Sequence, residues 1–127
     1  MTTIERQGLK RGLTWELERA ASQGKTVTYR NLLKGRTPQI HHHELYPMLV
    51  EITTEYYAIH HVILSILAVQ DDGLKIPDEA QFGSLIRKLS HYERPDYKEL
   101  CRLERIRTFD YFYNLNNPPK HKLPELF

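Results

Sequence analysis

Apolar residues in this chain recur at helical spacing over most of its length, and switch to an unbroken run only once. Leu9, Leu13, Leu17 and Ala20 make a stripe at steps of three and four, which predicts a helix over residues 3–23. Thr2 and Glu5 have the spacing of a capping box, and Gly24 stands at its end. Gly8 and Gly12 weaken the first turns, so ordered helix is expected to begin late. Trp15 lies off the stripe. Lys25 to Tyr29 reads as extended, with Thr28 capping a short helix that Gly35 stops. Thr37-Pro38 is a further start signal, and a turn is expected over Gln39 to His43. From Glu44, the residues Leu45, Leu49, Ile52 and Tyr56 share one helical face, with Pro47 expected in the first turn.

The unbroken run is Val62 to Val69, the length and composition of a buried strand. Asp71-Asp72-Gly73 is a turn signal, and Leu74-Lys75-Ile76 is expected to return as a second strand and complete a hairpin. Asp78 opens a helix with Phe82, Leu85, Ile86 and Leu89 inward. Pro95 opens the last, which carries Leu100, Leu103, Ile106, Phe109 and Tyr113. The expected fold is therefore α+β and mostly helical. It has a winged helix-turn-helix-like core, a two-stranded hairpin and a C-terminal helical extension. One domain is expected over residues 1–113 and an extended tail over 114–127.

The length of 127 residues suits a single domain with its own core. The apolar run is far short of the roughly 20 residues of a membrane span, and the first residues carry charge rather than a leader's apolar stretch. Cys101 is the only cysteine, so a cytoplasmic location is expected, with no membrane contact. The net charge is only +2, but it is unevenly spread. Residues 1–36 hold eight Lys and Arg against three acids, residues 37–86 one against seven, and residues 87–127 nine against six. Two readings stay open: a dipolar surface with a basic end, or segments that neutralise one another in the fold.

Thr26-Val27-Thr28-Tyr29-x-x-Leu32 resembles the opening of the winged-helix domain in the O6-alkylguanine-DNA alkyltransferases and alkyltransferase-like proteins. With Leu64-Ser65-Ile66-Leu67-Ala68-Val69 and Ile76-Pro77, the chain also resembles small uncharacterised bacterial proteins that share this opening. The resemblance implies a DNA-binding winged helix in which Tyr29 lies near a phosphate. The chain departs from the alkyltransferases in two respects. His43 stands where their arginine finger would fall, and their Pro-Cys-His-Arg motif has no counterpart. Alkyl transfer is thereby excluded.

Candidate chemistry is sparse. The adjacent histidines of His41-His42-His43, and of His60-His61, would point about 100° apart on a helix and cannot together hold one ion. No metal site, cofactor or catalytic constellation is expected, and the protein is read as a non-enzyme. For nucleic acid, Lys25, Arg30, Lys34 and Arg36 surround the short helix and would reach phosphates. Gln39, His41, His42 and His43 open the next helix and would approach base edges, and Lys75 would add a contact from the wing. Glu44, Glu51 and Glu55 on that same helix would oppose DNA if they faced it. The alternative is a protein-interaction or adaptor domain on the same scaffold. Trp15, Phe109, Phe112 and Tyr113 are its interface candidates, and a homodimer is expected.

Overall fold

The computed structural model describes residues 1–118. Five α-helices and one small parallel sheet follow in the order α1 (Thr3–Ser22), β1 (Val27–Thr28), α2 (Tyr29–Leu33), α3 (His42–His60), a 3-10 turn (Leu64–Leu67), β2 (Ala68–Val69), α4 (Glu79–Leu89) and α5 (Tyr97–Asn116). The class is α+β and mostly helical, and no described helix is long and apolar enough to cross a membrane.

α1 begins at its first opportunity rather than late. Thr2 Oγ1 accepts from Glu5 N–H at 3.0 Å, and Glu5 Oε1 accepts from Thr2 N–H at 2.8 Å. This satisfies two of the orphan donors at the helix start. Gly12 has a packing reason to stay in the helix. A Cβ there would stand 3.1 Å from the Arg36 guanidinium, which crosses this point to meet Glu16 and also donates to the Leu32 carbonyl at 2.6 Å. Leu9, Leu13, Leu17 and Ala20 are buried as the stripe requires.

α3 starts at His42, a turn earlier than Pro47 alone would suggest, so the proline sits inside the helix beyond the first turn. Glu44 makes the early start possible by accepting from His41 N–H at 3.0 Å. Pro47 cannot donate to the ladder and its ring crowds the carbonyl four residues before it, a cost that the packing of α3 must offset. Thr37-Pro38 starts no helix.

The expected hairpin does not form. Val62 to Val69 are all buried, but Leu64–Leu67 wind into a 3-10 turn packed against α1, α3 and α5. Only Ala68–Val69 are extended, and they pair in parallel with β1 in the register Val27↔Ala68 and Thr28↔Val69. An eight-residue run enclosed by three helices can bury every side chain without alternation, so its composition did not distinguish strand from turn. Leu74–Ile76 cannot extend a second strand, because Lys75 takes a φ of 56° and Leu74 is 53 % exposed with no apolar face to cover. A single backbone bond, Gln70 N–H to the Ile76 carbonyl at 3.1 Å, closes this loop.

α5 runs through Asn116, past the start expected for the tail at residue 114. The expected tail from residue 119 onward lies outside the described residues. The buried face of α5 is Tyr97, Leu100, Cys101, Glu104, Thr108 and Phe112, so two polar residues occupy core positions. Glu104 is fully buried, and its Oε2 accepts from Ser90 Oγ at 2.8 Å and from His91 N–H at 2.7 Å. Its Oε1 accepts from Arg107 Nε at 3.3 Å. The carboxylate thus ties the turn after α4 to the middle of α5.

Part of the uneven charge is neutralised by pairing between segments. Arg6 forks onto Glu51 with two bonds of 2.7 Å, and Lys10 bridges Glu51 and Glu55 at 3.1 Å each. Hydrogen bonds from Arg6, then from Lys10, hold the Glu51 carboxyl down at about 2. A carboxyl depressed in the fold stabilises it above its unfolded value near 4.5, and this contribution is lost as pH falls through 2. The group is 42 % exposed, so screening keeps the effect below about 1 kcal/mol. Glu51→Gln should therefore melt about 3 °C below wild type at pH 7, with the gap closing by pH 2 in thermal scans.

Candidate nucleic-acid interface

The end of the molecule formed by α2 and the start of α3 gathers most of the residues expected to meet nucleic acid. Thr28 caps α2, its Oγ1 accepting from Asn31 N–H at 3.2 Å. Gly35, at a φ of 68°, turns the chain toward α3. Gln39 braces this turn: its Nε2 donates to the Leu33 carbonyl at 3.2 Å and to the Ile40 carbonyl at 3.1 Å. Its amide protons are therefore engaged, leaving the Gln39 carbonyl oxygen as the group able to read an edge.

His41, His42 and His43 are all exposed at the N-terminal end of α3. The His41 and His43 rings stack at 5.8 Å, and His42 meets the Tyr46 ring edge-on at 6.0 Å. Among the described residues no group of three potential ligands could hold a metal ion. Lys25 and Lys34 are exposed. The Arg30 side chain is 74 % exposed and reaches Asp71 only at 4.0 Å. That contact sets the loop carrying the exposed Lys75 next to α2.

Two expected site residues are not at this surface. Tyr29 is buried at 2 % exposure, with its hydroxyl accepting from Asp78 N–H at 2.8 Å. Burial pushes its phenol well above the usual range. Its ring packs against Tyr46 and Phe82, so it joins α2 to the start of α4 rather than lying beside a phosphate. Arg36 is also consumed internally, by Glu16 and the Leu32 carbonyl. In both cases an amphipathic side chain found a partner distant in sequence, which local spacing does not reveal.

Glu51 and Glu55 turn away from this end to Arg6 and Lys10 on α1. Glu44 stays at it, accepting from His41 N–H at the helix start. The objection that this helix would repel a polyanion therefore falls on a different face for Glu51 and Glu55, and stands at this end for the Glu44 carboxylate alone among the acids of α3.

The interface candidates divide. Trp15 and Tyr113 are exposed at 60 % and 65 %, and Phe109 is partly buried against the core. Phe112 is a core residue instead, 4 % exposed and stacked on Tyr56 at 6.4 Å. Cys101 is buried, and desolvation pushes its thiol up to about 11, the behaviour of a packing residue rather than a nucleophile.

Sequence reasoning missed one feature, a groove of about 530 Å³ between α1 and α3. Thr14, Glu18, Ile52, Tyr56, Ile59 and His60 line its centre. Tyr56 donates to Glu18 Oε2 at 2.9 Å and stacks on His60 at 4.2 Å, and His60 Nδ1 meets Tyr111 Oη at 2.7 Å. The exposure of Ile59 at the end of an apolar face was the available signal. Comparison with known proteins gives no match: no protein-family model, curated protein or solved structure is significantly similar to this chain.

Proposed function

We propose that this protein is a non-catalytic nucleic-acid-binding module, a regulator of DNA processing or an accessory to it, that grips DNA through the α2–α3 end. One observation carries the reading. Arg30 and Lys34 at α2, and His41, His42 and His43 at the start of the 19-residue α3, are all exposed, while Glu51 and Glu55 farther along α3 pair with Arg6 and Lys10 on α1. Backbone N–H groups and the positive end of the helix dipole add to that field. Lys25 and Lys75 extend the positive surface on either side. The order α1, α2, α3 supports a winged-helix-like arrangement, with the closed loop of residues 70–76 in the place of a wing. Binding is mainly to phosphates, with the histidines and the Gln39 carbonyl oxygen near base edges.

The test is a fluorescence-anisotropy titration against random duplex DNA, single-stranded DNA and RNA at several salt concentrations. Four exposed cations, Lys25, Arg30, Lys34 and Lys75, set an upper bound on the salt slope of about −3.6 for duplex. Arg30→Ala/Lys34→Ala should lower that slope by about 2 and weaken binding about tenfold or more at low salt. Arg36→Ala serves as the internal contrast: its loss should appear in stability rather than in the slope. Flat traces at low salt for all three nucleic acids would refute the assignment.

The alternative, a protein-contact module, is favoured by the exposure of Trp15 at 60 %, and it concerns a different face of the molecule.

A further inference from the structure

The face of α1 beside the α1–α3 groove is unpartnered within the described residues in a specific way. Trp15 is 60 % exposed, and the Arg19 guanidinium lies 5.5 Å from its ring on the same helix. Arg11 is exposed and forms no ion pair among the described residues. Glu18 gives one carboxylate oxygen to Tyr56 at 2.9 Å and keeps the other toward the groove. On α3, Ile59 stands 73 % exposed at the groove's lip. Across from it, Thr14 folds its hydroxyl back onto the Lys10 carbonyl at 2.8 Å. The ion pairs of Arg6 and Lys10 close the two helices at one end. Past them, this short side chain leaves the groove open.

We propose that this face is a homodimer interface, in which two α1 helices pack antiparallel about a two-fold axis passing between Thr14 and Trp15. A second copy fits this face because its charges are complementary to themselves under reversal. Arg11 and Glu18 are seven residues apart, so they share one helical face about 10 Å apart along the axis. Turned end for end, the same face sets a Glu18 opposite each Arg11 and an Arg11 opposite each Glu18. That self-complementarity is what an isologous contact requires. At the centre, each Trp15 lies against the partner's Thr14, which lines the groove together with the exposed Ile59. Each indole buries about 200 Å² on entering it. An interface centred on two such anchors belongs to the small, reversible class. Arg11, Trp15 and Glu18 are not among the residues assigned to nucleic acid, so the dimer and the nucleic-acid reading are tested by different variants and stand or fall separately.

Trp15 is the only tryptophan of the chain, so the proposal carries its own probe. Sedimentation velocity and tryptophan emission are recorded together from about 1 to about 200 µM, spanning the micromolar range. The expected result is a concentration-dependent dimer with emission shifting to the blue as it forms. Trp15→Ser and Arg11→Glu should each weaken association at least tenfold while circular dichroism stays helical. Arg11→Glu/Glu18→Arg should restore the dimer, with Glu18→Arg alone controlling for the lost Tyr56 bond. A wild-type monomer throughout the range overturns the proposal. So does a Trp15→Ser variant that still dimerises, or a folded double charge swap that does not.

Discussion

Glu104→Ala should lower the unfolding free energy by about 3–5 kcal/mol, the largest single loss expected from a polar residue in this protein. The carboxylate is fully buried and accepts from Ser90 Oγ, His91 N–H and Arg107 Nε. Truncation leaves those donors facing a cavity, and an unpaired buried donor costs about 1–3 kcal/mol. Glu104→Gln separates the contributions. It retains one acceptor oxygen for Ser90 and His91 but presents an amide donor toward Arg107, so a smaller loss of about 1–2 kcal/mol is expected. Urea denaturation of the three proteins reads these differences directly through their midpoints. A loss below about 1 kcal/mol for the alanine variant would mean that water replaces the carboxylate, and that the turn after α4 is not pinned in the way the geometry shows.

Phe82→Ala should cost about 3–5 kcal/mol as well, for a different reason. Phe82 is fully buried and stands at the centre of an aromatic group, 6.0 Å from Tyr29 and 5.6 Å from Tyr46 in ring-centroid distance. Removing it opens a void beneath both α2 and the first turns of α3, because Tyr29 belongs to one and Tyr46 to the other. Tyr46 in turn carries the edge contact to His42. The variant should therefore lose nucleic-acid affinity in step with stability, whereas Arg30→Ala/Lys34→Ala should lose affinity with its melting temperature nearly unchanged. Leu at position 82 refills much of the volume and should recover most of both properties.

The helices were legible because their signals are local. Capping residues at Thr2, Thr28 and Asp78 hold their predicted type of bond in the structure, and the Leu9–Leu13–Leu17 stripe is buried as its spacing demands. Asp96 rather than Pro95 caps α5. What failed depended on partners far along the chain. Tyr29 and Arg36 looked available because their acceptors and donors, at Asp78 and Glu16, lie 49 and 20 residues away. α5 misled for a related reason. Its inward face includes Glu104 and Thr108, while the apolar Ile106 and Tyr113 point outward. A buried carboxylate is intelligible only once its three donors are known. Arg30, Lys34 and the three histidines were named from their places in the expected winged helix, and what the structure adds is that all five are exposed. The neutralisation of Glu51 and Glu55 by α1 was not visible, since either sign of α1–α3 packing fits the same sequence.

The parallel pairing of β1 with β2 has a consequence for how the molecule opens. Two residues on each side, Val27–Thr28 and Ala68–Val69, form the neck of a loop that contains the whole of α2 and α3. Closing a loop of about 40 residues costs about 3 kcal/mol in chain entropy, which so short a ladder cannot offset alone. The neck is consequently a late event in folding, formed after the apolar side chains of Val62 to Val69 have found their places among the helices. In the native protein it joins the two ends of the α2–α3 segment, so that segment should exchange its amide hydrogens as one cooperative unit in hydrogen-exchange measurements, its opening gated at the four residues of the neck.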